Sequence, residues 1–284
     1  MQEAEIKRTF VNTFKKTSGM KKKYFVVLLL LLFGTTMAHE YILLAAKFRL
    51  HKGDLLEVHL FVADGFNIQL ERPFQKTITK KFELITKDST IDLNAITPNA
   101  AFPVVNRTVG FEGGGLLHME RDYARIALTT PKFLAYLKED HIENIVTTVD
   151  KNKALQKERY TRYIKALVQS GDVYNDTLYK QITGQNFEIV LLQNPYNLHE
   201  SATFKAQVFF MSKPLTGKII TAQNRIGNKK VITIASRTDG NGICSFKLPR
   251  KGEWFLHATH MIACADKQDS DWESFWASYS FEIE

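Results

Sequence analysis

The stretch ERYTRYIKALVQS, Glu158 to Ser170, lies just past the middle of a 284-residue chain and decides how its two halves are joined. Tyr160, Tyr163, Ile164 and Leu167 fall three and four residues apart and Gly171 follows directly, so the spacing predicts a helix with a glycine stop. Upstream, Lys132 to His141 repeats that period behind Pro131, a residue suited to helix initiation. Two short helices within 131–180 then act as a connector.

On either side of this connector the period is two. Tyr41 to Leu50, Leu55 to Val62, Lys80 to Thr86 and Arg121 to Leu128 alternate between turn signals and read as strands. Glu112-Gly-Gly-Gly115 reads as a plain turn, because a phosphate loop would end in Gly-Lys-Ser/Thr and open a helix. Beyond Gly184, seven runs continue the β pattern: Phe187–Leu192, Ala202–Met211, Lys218–Asn224, Val231–Ala235, Ile243–Leu248, Glu253–Ile262 and Phe275–Ile283. Strands at this spacing suit a sandwich of immunoglobulin-like or transthyretin-like kind. The expected fold is therefore mainly β, with one sandwich domain at 39–130, a helical connector at 131–180 and a second sandwich at 181–284.

The composition, 44% hydrophobic and 12% aromatic, is that of a globular protein. The formal charge of +8 suggests a nucleic-acid partner until the charges are located. Lys7, Arg8, Lys15, Lys16 and Lys21 to Lys23, set against Glu3 and Glu5, place +5 of it before Tyr24. The remainder is dispersed, with no basic stripe, which argues against nucleic acid.

That basic start belongs to a targeting pattern. Met20 to Lys23 is a basic n-region, Tyr24 to Phe33 an apolar core, and Gly34 to Ala38 an exit with Thr36 and Ala38 at the minus-three and minus-one positions. The pattern predicts a signal peptide over 1–38, cut after Ala38, with 1–19 as an extension ahead of a better start at Met20. The uncharged run from Tyr24 to Ala38 is shorter than the roughly twenty residues that span a bilayer, so no stable membrane anchor is expected after cleavage. The product is expected to be periplasmic or secreted, where Cys244 and Cys264 could form one disulfide.

Cleavage would make His39 the first residue. An α-amine titrates near 7.7 to 8.0, so it deprotonates readily at neutral pH and can close a six-membered chelate with the imidazole Nδ1 on one metal ion. A second imidazole is sought in Glu253–Ile262, where His257 and His260 lie three apart. In a strand they face opposite sides, and one metal cannot take both unless a bulge intervenes. A histidine there is also commonly a core residue with an ordinary hydrogen-bond partner.

Several segments together resemble the DUF4198 family of exported bacterial proteins, whose members have carried the label of periplasmic nickel-uptake components. They are Ala38-His-Glu40, Lys132 to Leu137, Glu158 to Lys165, Asn194-Pro-Tyr196, Lys213-Pro-Leu215, Thr238-Asp-Gly240, Gly252-Glu-Trp254, His260-Met261, Asp271 to Ser274 and Trp276-Ala-Ser278. The family opening has an aromatic pair after the acid, and here only Tyr41 is aromatic. The resemblance favours His260 over His257. The expected metal set is then His39 and His260, with Asp271 and Glu273 from the following loop and His118 as a third imidazole.

Such nitrogen-rich sets suit copper(II), nickel(II) and zinc, with copper binding tightest in open competition, and the expected ion is nickel, cobalt or copper. The first expectation is thus an exported, non-enzymatic metal-binding protein that serves a metal-transport or envelope protein partner. A second is a protein- or glycan-binding sandwich module without metal, and a third is a copper-dependent oxidative enzyme. Hydrolase signatures such as Gly-x-Ser-x-Gly and His-Glu-x-x-His are absent. Arg159, Tyr160, Arg162 and Tyr163 could form an anion patch, though on a helix they would more simply divide into a packed and a solvated face.

Overall fold

The computed structural model describes residues 40–172, 176–227, 229–247 and 250–283. His39 and the expected signal peptide lie outside the described residues. The first half runs β1 (Glu40–Ala45), β2 (Arg49–Leu50), β3 (Leu55–Asp64), β4 (Asn67–Arg72), β5 (Thr79–Thr86), β6 (Thr90–Asp92), α1 (Leu93–Ile96), β7 (Val105–Thr108), β8 (Gly113–Arg121) and β9 (Ala124–Thr129). Helix α2 (Thr130–Glu139) and β10 (Leu155–Ser170) follow. The remainder is β11 (Phe187–Leu191), β12 (Thr203–Phe210), β13 (Lys213–Pro214), β14 (Ile219–Arg225), β15 (Ile232–Arg237), β16 (Ile243–Lys247), β17 (Gly252–Ala263) and β18 (Trp272–Ile283). The mainly β expectation holds, and each run expected beyond Gly184 forms a strand.

Helix α2 forms where the sequence places it, with Pro131 in its first turn. The second expected helix does not form: Glu158 to Ser170 belongs to the sixteen-residue strand β10. It pairs in parallel with β18 and antiparallel with β8 and β9, which puts it inside the largest sheet. Among the described residues that sheet has ten strands in the order β15-β14-β17-β18-β10-β8-β5-β6, with β2 and β9 also paired to β10. The helical period arose because both faces of β10 are covered, so apolar residues occur at odd and even positions and mask the alternation of a half-exposed strand.

Two hydrophobic cores lie on the two faces of this sheet. On one face Ile164, Ala166 and Val168 of β10, Leu117 and Met119 of β8, and Phe82 and Leu84 of β5 pack against Ile42 of β1 and Leu56, Val58 and Leu60 of β3. On the other, Tyr163 and Leu167 join Phe275, Tyr279 and Phe281 of β18 and Trp254 and Leu256 of β17 beneath Phe187, Phe204, Val208 and Phe246. The first core is closed by the sheet β1-β3-β4 with β7, the second by β11-β12-β13 with β16. The helical connector expected at 131–180 is corrected accordingly: its second half is β10, a strand shared by both sandwiches.

Strand β1 is fastened to the central sheet by side chains. Ser278 Oγ donates to the Tyr41 carbonyl at 2.8 Å, and Ser280 Oγ donates to the Leu43 carbonyl. Lys165, 2% exposed, pairs with Glu188, which also accepts from Thr183 N at 2.6 Å. Such pairing is what allows charges inside a covered sheet.

The glycine run is a second correction, since Gly113 to Gly115 open strand β8. A Cβ on Gly115 would meet Phe111 at 2.6 Å and Val168 at 3.1 Å, so the run gives close packing room. Cys244 and Cys264 are both buried and free, with no bridge between them. Among the described residues no helix is long and apolar enough to cross a membrane.

Because both cores rest on one sheet, damage to either should propagate to the whole. Leu84→Ala in the first core and Ile220→Ala in the second should each cost about 2 to 5 kcal/mol. Urea denaturation should show one transition for each variant, shifted by both substitutions. Two resolved transitions, each answering to one variant, would mean separately folding sandwiches.

Candidate functional site

Strand β17 sends alternate side chains to the two faces. His260 lies with Trp254 and Leu256 on the second-core side, whereas His257 lies with Phe255, Thr259 and Met261 on the other. The opposed orientation expected from the sequence is therefore present.

His260 is 8% exposed and packs against Phe210, ring centroids 4.5 Å apart, and Phe187 at 6.0 Å. Burial, with the nearby Lys218 charge, pushes its pKa down to about 4, so the ring is neutral at physiological pH. The other expected ligands are engaged elsewhere. Glu273 accepts from Tyr123 Oη at 2.5 Å and Arg159 Nη2 at 2.6 Å, and it is buried. Asp271 accepts from Lys153 Nζ at 2.5 Å and Lys157 N at 2.8 Å.

His118 is fully buried and its Nε2 sits 2.8 Å from Glu83 Oε2. It belongs to β8, which is the third strand over from β17. At about 4.8 Å per strand step that is about 14 Å from the His260 strand, beyond one coordination sphere. His260, Asp271, Glu273 and His118 are thus not gathered into one site, and among the described residues no group of three or more His, Cys, Asp or Glu is arranged to hold a metal ion. His39 lies outside the described residues. The anion-patch reading also fails for Arg159, which is committed to Asp269 and Glu273.

The structure brings together a different set on the opposite face. Glu40 Oε1, on the first residue of β1, lies 3.0 Å from His257 Nε2. Beside this pair is a cavity of about 10 Å³ lined by Glu40, Tyr41, Arg162, His257, Trp276 and Ser278. That is the space of one water molecule or one ion. Burial alone would depress the His257 pKa, but the Glu40 carboxylate and its hydrogen bond outweigh it, so the net shift is upward.

Helix α2 delivers a second carboxylate. Phe133 stacks on Trp272 at 5.8 Å, Tyr136 stacks on Trp276 at 6.0 Å, and Tyr136 Oη donates to Glu158 Oε1 at 3.1 Å. Glu158 is buried and also accepts from Ser274 Oγ; burial raises its pKa to about 7 against those hydrogen bonds. With the helix so held, its C-terminal Asp140 accepts from Thr259 Oγ1 at 3.1 Å. Burial, against the pull of His257, raises Asp140 to about 6. Two acids and an imidazole thus share the seam between β1, α2 and the central sheet. Sequence reasoning passed over Glu40 and Asp140; the adjacency of Glu40 to His39 was the available signal.

The family model of DUF4198, a domain of unknown function, matches residues 36–262. No curated protein matches the chain. Among solved structures, the D0-D1 domain of intimin aligns at 10% identity over 85% of this chain and 97% of that one, with a TM-score of 0.20, a likeness too loose to carry an argument.

The Glu40–His257 pair has a definite pH signature. A histidine whose folded pKa is raised contributes stability that is complete below its unfolded value, about 6.5, and is lost as pH rises through the folded value. Glu40→Gln should therefore destabilise the protein more at pH 5.5 than at pH 8, measured by urea denaturation. An equal loss at both pH values would show that the pair is not ionic.

Proposed function

We propose, with membership of the DUF4198 family as the premise, that this chain is an exported, non-enzymatic protein that holds nickel, cobalt or copper at its processed N-terminus. The ligands in this reading are the α-amine and imidazole of His39 together with His257 and Glu40. His257 takes the part that the sequence suggested for His260. The ion would pass to a metal-transport or envelope protein partner.

One observation carries the reading: the ion-sized cavity beside the Glu40–His257 pair. His39 is joined to Glu40 by a peptide bond, and in this reading its chelate would be completed by the pair. The donor set fits the metals named. Ligands at about 2.0 to 2.1 Å on adjacent corners of a metal ion are about 3 Å from one another, close to the 3.0 Å separating Glu40 Oε1 and His257 Nε2. Imidazole and amine nitrogens with a carboxylate oxygen suit late first-row divalent ions. Asp140 adds negative charge that offsets Arg162 in the cavity lining.

Protons compete with the ion at each donor, because amine and imidazole bind metal only when deprotonated. The raised pKa of His257 makes this competition stronger, so acidification should release the metal. Export is supported by the n-region, apolar core and small-residue exit read over 20–38.

Two measurements test the reading. N-terminal sequencing of the secreted protein should begin at His39. Titration calorimetry with copper(II) and nickel(II) should then show at least tenfold weaker binding when one glycine precedes His39 and when His257 is replaced by alanine. Equal affinities in all three forms would remove both the α-amine and His257 from the account.

A further inference from the structure

On the face of β17 opposite that cluster, His260 borders a cleft of about 220 Å³, lined also by His141, Asn144, Leu215, Thr216 and Lys218. Lys218 is 6% exposed, and its Nζ donates to the His141 carbonyl at 2.9 Å. Among the described residues no carboxylate lies within ion-pairing distance of this nitrogen. A lysine amine enclosed without a bonded anion, at the wall of an open cleft, is set up as a nucleophile more than as a fixed charge.

We propose that Lys218 captures a small uncharged aldehyde or ketone in this cleft as an imine. The amine lone pair attacks the carbonyl carbon, forming C–N while the C=O π pair moves to oxygen, which takes a proton. The nitrogen sheds one proton, the new hydroxyl takes up a second and leaves as water while the nitrogen lone pair forms C=N, and loss of the remaining N–H proton gives the neutral imine. No oxidant or reductant enters.

The surroundings favour an uncharged ligand over an anion. Asp140, on the segment after α2, bears on Lys218 electrostatically and would repel an added negative charge, while Glu143, which also lines the cleft, has its charge paired. Arg237 of β15 is the other nearby cation, and it is committed to Glu143 at 2.7 Å. On β17, His260 is neutral with Phe210 behind it, and His257 is turned to the far face and paired with Glu40. Burial, opposed by Asp140 and Glu143 and aided by Arg237, lowers the Lys218 pKa to about 8. About one amine in ten is then neutral at pH 7, against about one in a few thousand for a free lysine. The cleft also exceeds the cavity of about 150 Å³ known to admit benzene, so an aromatic aldehyde fits.

The test treats the mature full-length protein with benzaldehyde and sodium cyanoborohydride at pH 7, which fixes the imine as a benzyl amine, followed by peptide mass mapping. Lys218 should carry at least tenfold more label than any surface lysine, with a labelling midpoint near pH 8. Thr216→Trp, at the exposed rim, should block the cleft and reduce Lys218 labelling at least fivefold while the native near-ultraviolet circular dichroism persists. Lys218→Arg, judged by the same spectrum, should remove the preferred site. Label spread evenly over the lysines, or undiminished Lys218 label in Thr216→Trp, would overturn the proposal.

Discussion

The central sheet is covered on both faces through β10, β17 and β18, so consecutive residues there serve two different cores. Tyr163 belongs to one and Ile164 to the other, and Trp254 and Phe255 divide in the same way. Where these strands are covered on both faces, a polar side chain is shielded from water and is held by partners within the protein. Lys165 has Glu188, Glu158 has Tyr136 and Ser274, and Ser278 and Ser280 hold the carbonyls of β1. These pairings place the outer elements: β1 is laid across the sheet by two serines, and α2 by a buried carboxylic acid and two stacked aromatic pairs.

The same constraint gives β17 two histidines of opposite character. His257 faces Glu40 and Asp140, and their negative charge raises its pKa despite burial. His260, three residues on, faces Phe210 and Lys218, and burial with a nearby cation lowers it. One ring is suited to holding a proton or exchanging it for a metal ion, and the other is a neutral wall of the Lys218 cleft. A one-residue change of register would exchange these environments, since register sets which face every side chain meets.

The seam between β1, α2 and the sheet concentrates groups whose charge is costly to bury. Asp140 and Glu158 both have pKa values raised by burial, to about 6 and about 7. The stacked pairs Phe133–Trp272 and Tyr136–Trp276 hold the helix over them. Clusters of this kind, with perturbed titration beside a small cavity, are where binding chemistry concentrates.

The sequence by itself determined the β class, α2 behind Pro131, the seven strands beyond Gly184 and the opposed orientation of His257 and His260, because each depends on local periodicity or on a turn residue. It misread Glu158 to Ser170, since a strand buried on both faces loses its alternation, and it misread Gly113 to Gly115, whose closeness to Phe111 appears only when distant strands meet. The candidate site was legible only in part. Proximity across 217 positions, from Glu40 to His257, leaves no mark on local pattern, and family likeness pointed to the wrong member of the histidine pair for an encounter with Glu40. Tertiary structure alone decided that encounter, because the pairing of β17 with β18 and the serine bonds from β18 to β1 set which face of the sheet meets the start of the described chain.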